Sequence, residues 1–170
     1  MAKTCDRGNY IADDPEHPTL DYEVYSDSDW CTAHSTSGTC HVVRGRAIHA
    51  SSKRQQSISI SSTEAEIMAA SLAACEIVFN RALFAEMGFD MSEPTVLWVD
   101  NMGAIECTKR RESLARSRHI DGRYLKILEW VAEGKNTVKY KNTKENRADM
   151  FTKPLENASF SEHASAIMGW

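Results

Sequence analysis

The chain has 170 residues, enough for one compact domain that buries its own core. Its 42% hydrophobic and 26% charged residues are ordinary for a globular protein. No run of about 18 consecutive apolar residues marks a membrane span and no apolar stretch near Met1 marks a signal peptide, so a place inside a cell, cytoplasmic or nuclear, is expected.

Residues 1–20 are polar and mixed, with Pro15 and Pro18, and read as a tail or tether. Residues 21–26 alternate in polarity and suit a strand. Ser35-Thr36-Ser37-Gly38 reads as a turn, residues 39–43 as a second strand and Arg44-Gly45 as a hairpin turn. Residues 46–50 and 57–60 suit further strand. Residues 61–87 form the clearest helix, with Met68, Leu72, Cys75, Phe79 and Leu83 at helical spacing and Gly88 as its stop. Thr95-Val96-Leu97-Trp98-Val99 has the character of a buried strand and ends at Asp100. Residues 102–108 suit a short helix, residues 120–133 an amphipathic one, residues 137–140 a last strand, and residues 146–152 a final helix broken by Pro154. Residues 156–170 are expected as a C-terminal tail. This order points to a mixed sheet with helices packed on it.

The cysteines, Cys5, Cys31, Cys40, Cys75 and Cys107, are odd in number and contain no C-x-x-C pair. Reduced thiols serving mainly as small buried hydrophobes are therefore expected, rather than a zinc site or a disulfide framework. The net charge of −4 is unusual for a nucleic-acid binder but is unevenly spread. Lys109, Arg110, Arg111, Arg116, Arg118, Arg123 and Lys126 stand against only Glu112 and Asp121, and such a local stripe can hold phosphates on an acidic protein.

Two aspartates, Asp27 and Asp100, fall at expected carboxyl ends of strands, where ligands gather in α/β sheets. Glu66 lies early in the long helix and Asp149 early in the last one. Four such carboxylates suit a pair of Mg2+ ions about 3.5–4 Å apart, one activating the attacking water and the other the leaving oxygen. Each also has a plain structural reading. Strand-end aspartates are common in turns. Ser61-x-x-Glu64 and Thr63-x-x-Glu66 both match the capping box. Asp149 gains from a helix dipole without any metal.

At these residues the sequence resembles a known family. Tyr25-Ser26-Asp27-Ser28-Asp29-Trp30, Ser35-Thr36-Ser37-Gly38, Ser52-Lys53-Arg54-Gln55, Ser61-Ser62-Thr63-Glu64-Ala65-Glu66, Asp100-Asn101 with Ala104-Ile105, His119-Ile120-Asp121 with Arg123-Tyr124, and Ala148-Asp149-Met150-Phe151-Thr152-Lys153-Pro154-Leu155 follow the order of ribonuclease H domains in copia-type retrotransposon polyproteins. The resemblance implies a ribonuclease H-like fold over residues 21–155, a five-stranded mixed sheet flanked by helices. It implies cleavage of the RNA strand of RNA/DNA hybrids with Mg2+, Mn2+ being a possible substitute, and an upstream reverse transcriptase domain in the parent polyprotein. It points to Asp27, Glu66, Asp100 and Asp149 as the catalytic, metal-binding carboxylates, with Asp29 as a structural or supporting neighbour.

Two departures stand out. Many cellular ribonucleases H carry a mobile His just before the last Asp, whereas residues 140–146 here have none and leave Lys144 or Glu145 as substitutes. Cys31-Thr32-Ala33-His34 replaces the family's small Ala-Gly-Asp stretch. Ser28, Ser62, Thr63 and Asn101 are candidates for reading the minor groove and its 2′-hydroxyls. Lys109, Arg110, Arg111, Arg116, Arg118 and Arg123 are candidates for phosphates. His119 reads as structural, and Trp30, Trp98 and Trp130 as core. The alternatives are a transposon-derived nucleic-acid-binding module without catalysis, or another nuclease of the same superfold.

Overall fold

The computed structural model describes residues 20–109 and 126–169. Three strands open the fold as a meander: β1 (Tyr22–Asp29), β2 (Thr36–Val43) and β3 (Arg46–Arg54), each antiparallel to the one before. The β2–β3 turn is Arg44-Gly45, with φ of 49° and 77°. Two positive φ values in succession give the turn whose twist matches that of the flanking strands, and glycine takes the second at no cost. After α1 (Ser62–Glu86), β4 (Thr95–Val99) adds parallel to β1. Then come α2 (Met102–Lys109), α3 (Lys126–Ala132) and β5 (Asn136–Tyr140), which is parallel to β4. The sheet order is β3-β2-β1-β4-β5. Two 3-10 turns, Thr143–Glu145 and Asp149–Phe151, lead to α4 (Asn157–Met168).

Strand alternation divides the sheet into two faces. Val24, Leu97, Val99 and Val138 face α1 and pack with Ile67, Ala70, Ala73, Ala74 and Ile77, joined by Ile105 of α2 and Ile127 of α3. Tyr25, Cys40 and Val42 face the other way and pack with Ala148 and with Ile167 of α4. Each fully buried isoleucine contributes about 1.5–3 kcal/mol of transfer free energy.

The buried face of α1 is not the one its large residues suggest. Met68 is buried, but Phe79 is 69% exposed and Leu83 44%. The helix lies on the sheet through alanines, which admit close approach, so the expected stripe through Cys75, Phe79 and Leu83 runs along the solvent side. By length and composition α1 is apolar enough to cross a membrane, with mean hydropathy 1.5. Here it is a core helix, and its Glu64, Glu66 and Glu76 all bond to neighbouring segments.

Other expectations shift for identifiable reasons. Thr36, Ser37 and Gly38 belong to β2 rather than to a turn, and Gly38 pairs with Asp27. β3 runs unbroken to Arg54, and residues 57–60 are not strand. Asp149 sits in a 3-10 turn, and the final helix is α4, within the stretch expected as a tail. His163, Ala164 and Ile167 of α4 are buried. Among the described cysteines all are free, but only Cys40 is buried; Cys31 and Cys75 are exposed. Trp30 is 44% exposed rather than core, while Trp98 and Trp130 pack at the edges of the two clusters.

Candidate metal centre

The parallel register of β1 and β4, Tyr25 level with Trp98, carries Asp27 and Asp100 to the same end of the sheet. The start of α1 supplies the third carboxylate. Ser61 caps the helix by accepting from the Glu64 backbone N at 3.1 Å, and Glu64 Oε2 accepts from the Ile60 N at 2.7 Å. This reciprocal pair satisfies two otherwise orphaned donors and commits Glu64 to capping. Glu66, two residues further round the helix, faces the strand ends instead. One carboxylate oxygen from each of Asp27, Glu66 and Asp100 lies within 4.8 Å of the others. Asp149 is buried beside this trio but is not one of its converging oxygens; its Oδ1 lies 2.5 Å from Lys153 Nζ.

Each member of the trio is held by a hydroxyl through one oxygen. Ser28 donates to Glu66 Oε1 from its backbone N at 3.1 Å and its Oγ at 2.8 Å. Thr152 Oγ1 donates to Asp27 Oδ2 at 2.6 Å, and Thr143 Oγ1 to Asp100 Oδ2 at 2.8 Å. Glu66 Oε2 is buried and has no hydrogen-bond partner.

Burial, with the nearby Asp27 charge, pushes the Glu66 carboxyl up to about 8. Burial also pushes Asp27 up to about 6, against the Thr152 hydrogen bond and reinforced by Asp100 and Asp149. Like charges drawn together out of water, with one oxygen left bare, call for a compensating cation. An all-oxygen donor set suits a hard divalent ion such as Mg2+.

The remaining candidates are more scattered. Ser62 is exposed in the first turn of α1, and the Thr63 side chain lies against Gly103. Asn101 Oδ1 accepts from the Ala104 N at 3.0 Å and so caps α2. Lys109 is exposed at the end of α2, 3.9 Å from Glu106. Arg110, Arg111, Arg116, Arg118, Arg123 and His119 lie outside the described residues. Asp29 is exposed at the end of β1.

Glu145 turns to Lys141 at 3.5 Å, so the group of that loop bonded to Asp100 is Thr143, which sequence reasoning passed over. It passed over Thr152 too, although Thr152 stands three residues after Asp149 inside the C-terminal motif. The Gln55 of the Lys53-Arg54-Gln55 element is buried and donates to Ser37 Oγ and Ala65 O, both at 2.9 Å, fastening β2 to α1 behind the site.

No family model matches the chain. It is 32% identical over 169 residues to the retrovirus-related Pol polyprotein from transposon RE1 of Arabidopsis thaliana, covering 93% of this chain. It is 35% identical over 126 residues to that from transposon TNT 1-94 of Nicotiana tabacum, covering 74% of this chain. It spans only 12% and 9% of those two polyproteins.

Among solved structures it is similar to the N-terminal RNase H domain of a Mycobacterium tuberculosis protein. The TM-score is 0.55 at 11% identity, covering 86% of this chain and 98% of that one. It is also similar to prototype foamy virus protease-reverse transcriptase, with a TM-score of 0.53 at 13% identity, covering 84% of this chain and 22% of that one. These likenesses show the fold. The chain is a homologue of the retrovirus-related Pol polyproteins of copia-type plant transposons, and it has the fold of a ribonuclease H domain.

Proposed function

We propose that this domain hydrolyses the RNA strand of RNA/DNA hybrids during reverse transcription, as part of a polyprotein that also carries a reverse transcriptase. The observation that carries the reading is the convergence of one carboxylate oxygen each from Asp27, Glu66 and Asp100 within 4.8 Å, with Glu66 Oε2 buried and unpartnered. Asp27, Glu66 and Asp100, with Asp149 beside them, would hold the Mg2+ ions. Bound there, such ions supply positive charge to the attacking water and to the leaving 3′-oxygen.

The chain's own residues do the rest. Ser28, Thr143 and Thr152 fix the carboxylates in advance, so little reorganisation accompanies charge development at the scissile phosphate. Ser62, Thr63 and the Asn101 amide, at the start of α1 and of α2, would meet the minor groove, where 2′-hydroxyls distinguish the RNA strand. Lys109, with Arg110, Arg111, Arg116, Arg118 and Arg123, supplies sequence-independent phosphate contacts.

The test is a panel of end-labelled 20-mers incubated with Mg2+ or Mn2+: RNA/DNA hybrid, duplex RNA, duplex DNA and single-stranded RNA. Cleavage confined to the RNA of the hybrid, and lost in Asp100→Asn, is the expected result. Absence of cleavage with either ion, from a protein that still binds the hybrid, would replace this reading with that of a non-catalytic binding module.

A further inference from the structure

We infer that Thr152 is a positioning residue for the metal centre, and that Gly38 is glycine so that Thr152 can reach it; the inference rests on the functional reading above. Thr152 Oγ1 donates to Asp27 Oδ2 at 2.6 Å, a bond between residues 125 positions apart that is buried on both sides. The same hydroxyl lies 3.0 Å from Asp149 O, and the Thr152 N donates to that carbonyl at 3.2 Å. One side chain therefore ties the turn that carries Asp149 to the strand that carries Asp27. Among the described residues no other group hydrogen-bonds the Asp27 carboxylate, and the segment leading into the turn is otherwise tied to β1 by Asn146, whose Nδ2 donates to Ser26 O at 2.9 Å.

Gly38 supplies the space. It is paired with Asp27 across the β1–β2 ladder. A Cβ at this position would lie 2.7 Å from Thr152 Cγ2, 2.8 Å from Ala148 O and 3.2 Å from Phe151 Cβ. The first two are closer than van der Waals contact allows, and one is backbone, so any side chain there must lift the turn. The Thr152 methyl, seated on Gly38, also limits the rotation of its β-branched side chain and aims the hydroxyl at Asp27. With Oδ2 bonded to Thr152, the Asp27 carboxylate is held in one orientation. Ser28 and Thr143 likewise hydrogen-bond Glu66 and Asp100, whereas the Thr152 hydroxyl lies within hydrogen-bond reach of both the Asp27 carboxylate and the Asp149 backbone carbonyl.

Groups that orient metal ligands typically contribute about 10–100-fold to metal affinity. The experiment is a Mn2+ titration followed by the electron paramagnetic resonance of free Mn2+, on the parent chain, Thr152→Val, Thr152→Ser and Gly38→Ala. Circular dichroism confirms folding, and hybrid cleavage is measured alongside. Thr152→Val keeps shape and loses the donor, so Mn2+ affinity is expected to fall about 10-fold. Thr152→Ser keeps the donor and is expected to stay within about twofold of the parent, on the same principle. Gly38→Ala keeps the hydroxyl but displaces it, and is expected to follow the valine variant.

Parent-like affinity in a folded Thr152→Val would overturn the inference and leave Thr152 as a cap of its turn. Should the valine variant fail to fold, parent-like affinity in Gly38→Ala overturns it instead. A parent that binds Mn2+ in this pattern but leaves the hybrid intact would refute the nuclease reading while upholding the positioning role.

Discussion

Replacing Glu66 by glutamine should stabilise the metal-free protein at neutral pH. Glu66 titrates at about 8 in the fold against 4.5 for an ordinary glutamate. The native state therefore holds a proton that the unfolded chain has lost. Between those two values the native state binds more protons than the unfolded one, so stability falls as pH rises through this window. From 4.5 to pH 7 the cost at about 1.4 kcal/mol per pH unit is roughly 3 kcal/mol. Asp27 is one cause of the shift, so the two carboxyls share this cost rather than each adding its own.

Glutamine keeps an acceptor for Ser28 and never ionises. The expected gain is about 2–3 kcal/mol at pH 7, or roughly 5–10 °C in Tm for a chain of this size, vanishing near pH 4.5. Thermal melts in chelator at pH 4.5 and 7 would measure it. Adding Mn2+ should then raise the Tm of the parent but not of the variant. A variant no more stable at pH 7, or one whose gain is the same at both pH values, would refute the picture of a buried carboxyl starved of a counter-charge.

The face of α1 can be tested by urea unfolding: Ile77→Ala should cost about 2–4 kcal/mol, while Phe79→Ala stays within about 0.5 kcal/mol. Gln55→Leu should cost about 1–3 kcal/mol, because it removes the buried donor that ties the Ser37 hydroxyl to the Ala65 carbonyl behind the site. Glu76 behaves oppositely to Glu66. Burial pushes it up, but hydrogen bonds from His41, Thr39 and Lys53 prevail and hold it at about 2. Its contribution is present above pH 4.5 and lost as pH falls towards 2, so Glu76→Gln should destabilise at pH 7 and much less at pH 2.5, read from unfolding at the two pH values.

The carboxylates were legible because each sits inside a short motif and the motifs come in a fixed order. Which glutamate faces the centre was a separate matter. Both Glu64 and Glu66 match a capping pattern; the resemblance pointed to Glu66, and the bond from the Ile60 N to Glu64 and those from Ser28 to Glu66 separate their roles. The supporting hydroxyls were not legible. A threonine three residues after an aspartate says nothing about an oxygen 125 positions away, because that contact is created by the fold of α4 and its leading turn against β2.

Gly38 illustrates the same limit. Glycine among serines and threonines reads as a turn, yet here it is a strand residue kept bare for a neighbour's approach. The buried face of α1 escaped notice because alanine adds little to an apolar pattern built on large side chains, although close helix-to-sheet packing favours it. The hairpin turn at Arg44-Gly45 and the strand that ends at Val99, just before Asp100, were readable because their determinants are local.

The most direct test is to locate the metal. Crystals of the parent chain with Mn2+ and a hybrid whose scissile linkages resist hydrolysis would be measured at the manganese absorption edge. The account predicts anomalous peaks in contact with Asp27, Glu66 and Asp100 and with a phosphate of the RNA strand. Manganese bound elsewhere on the surface, with the three carboxylates bare beside a bound hybrid, would contradict it.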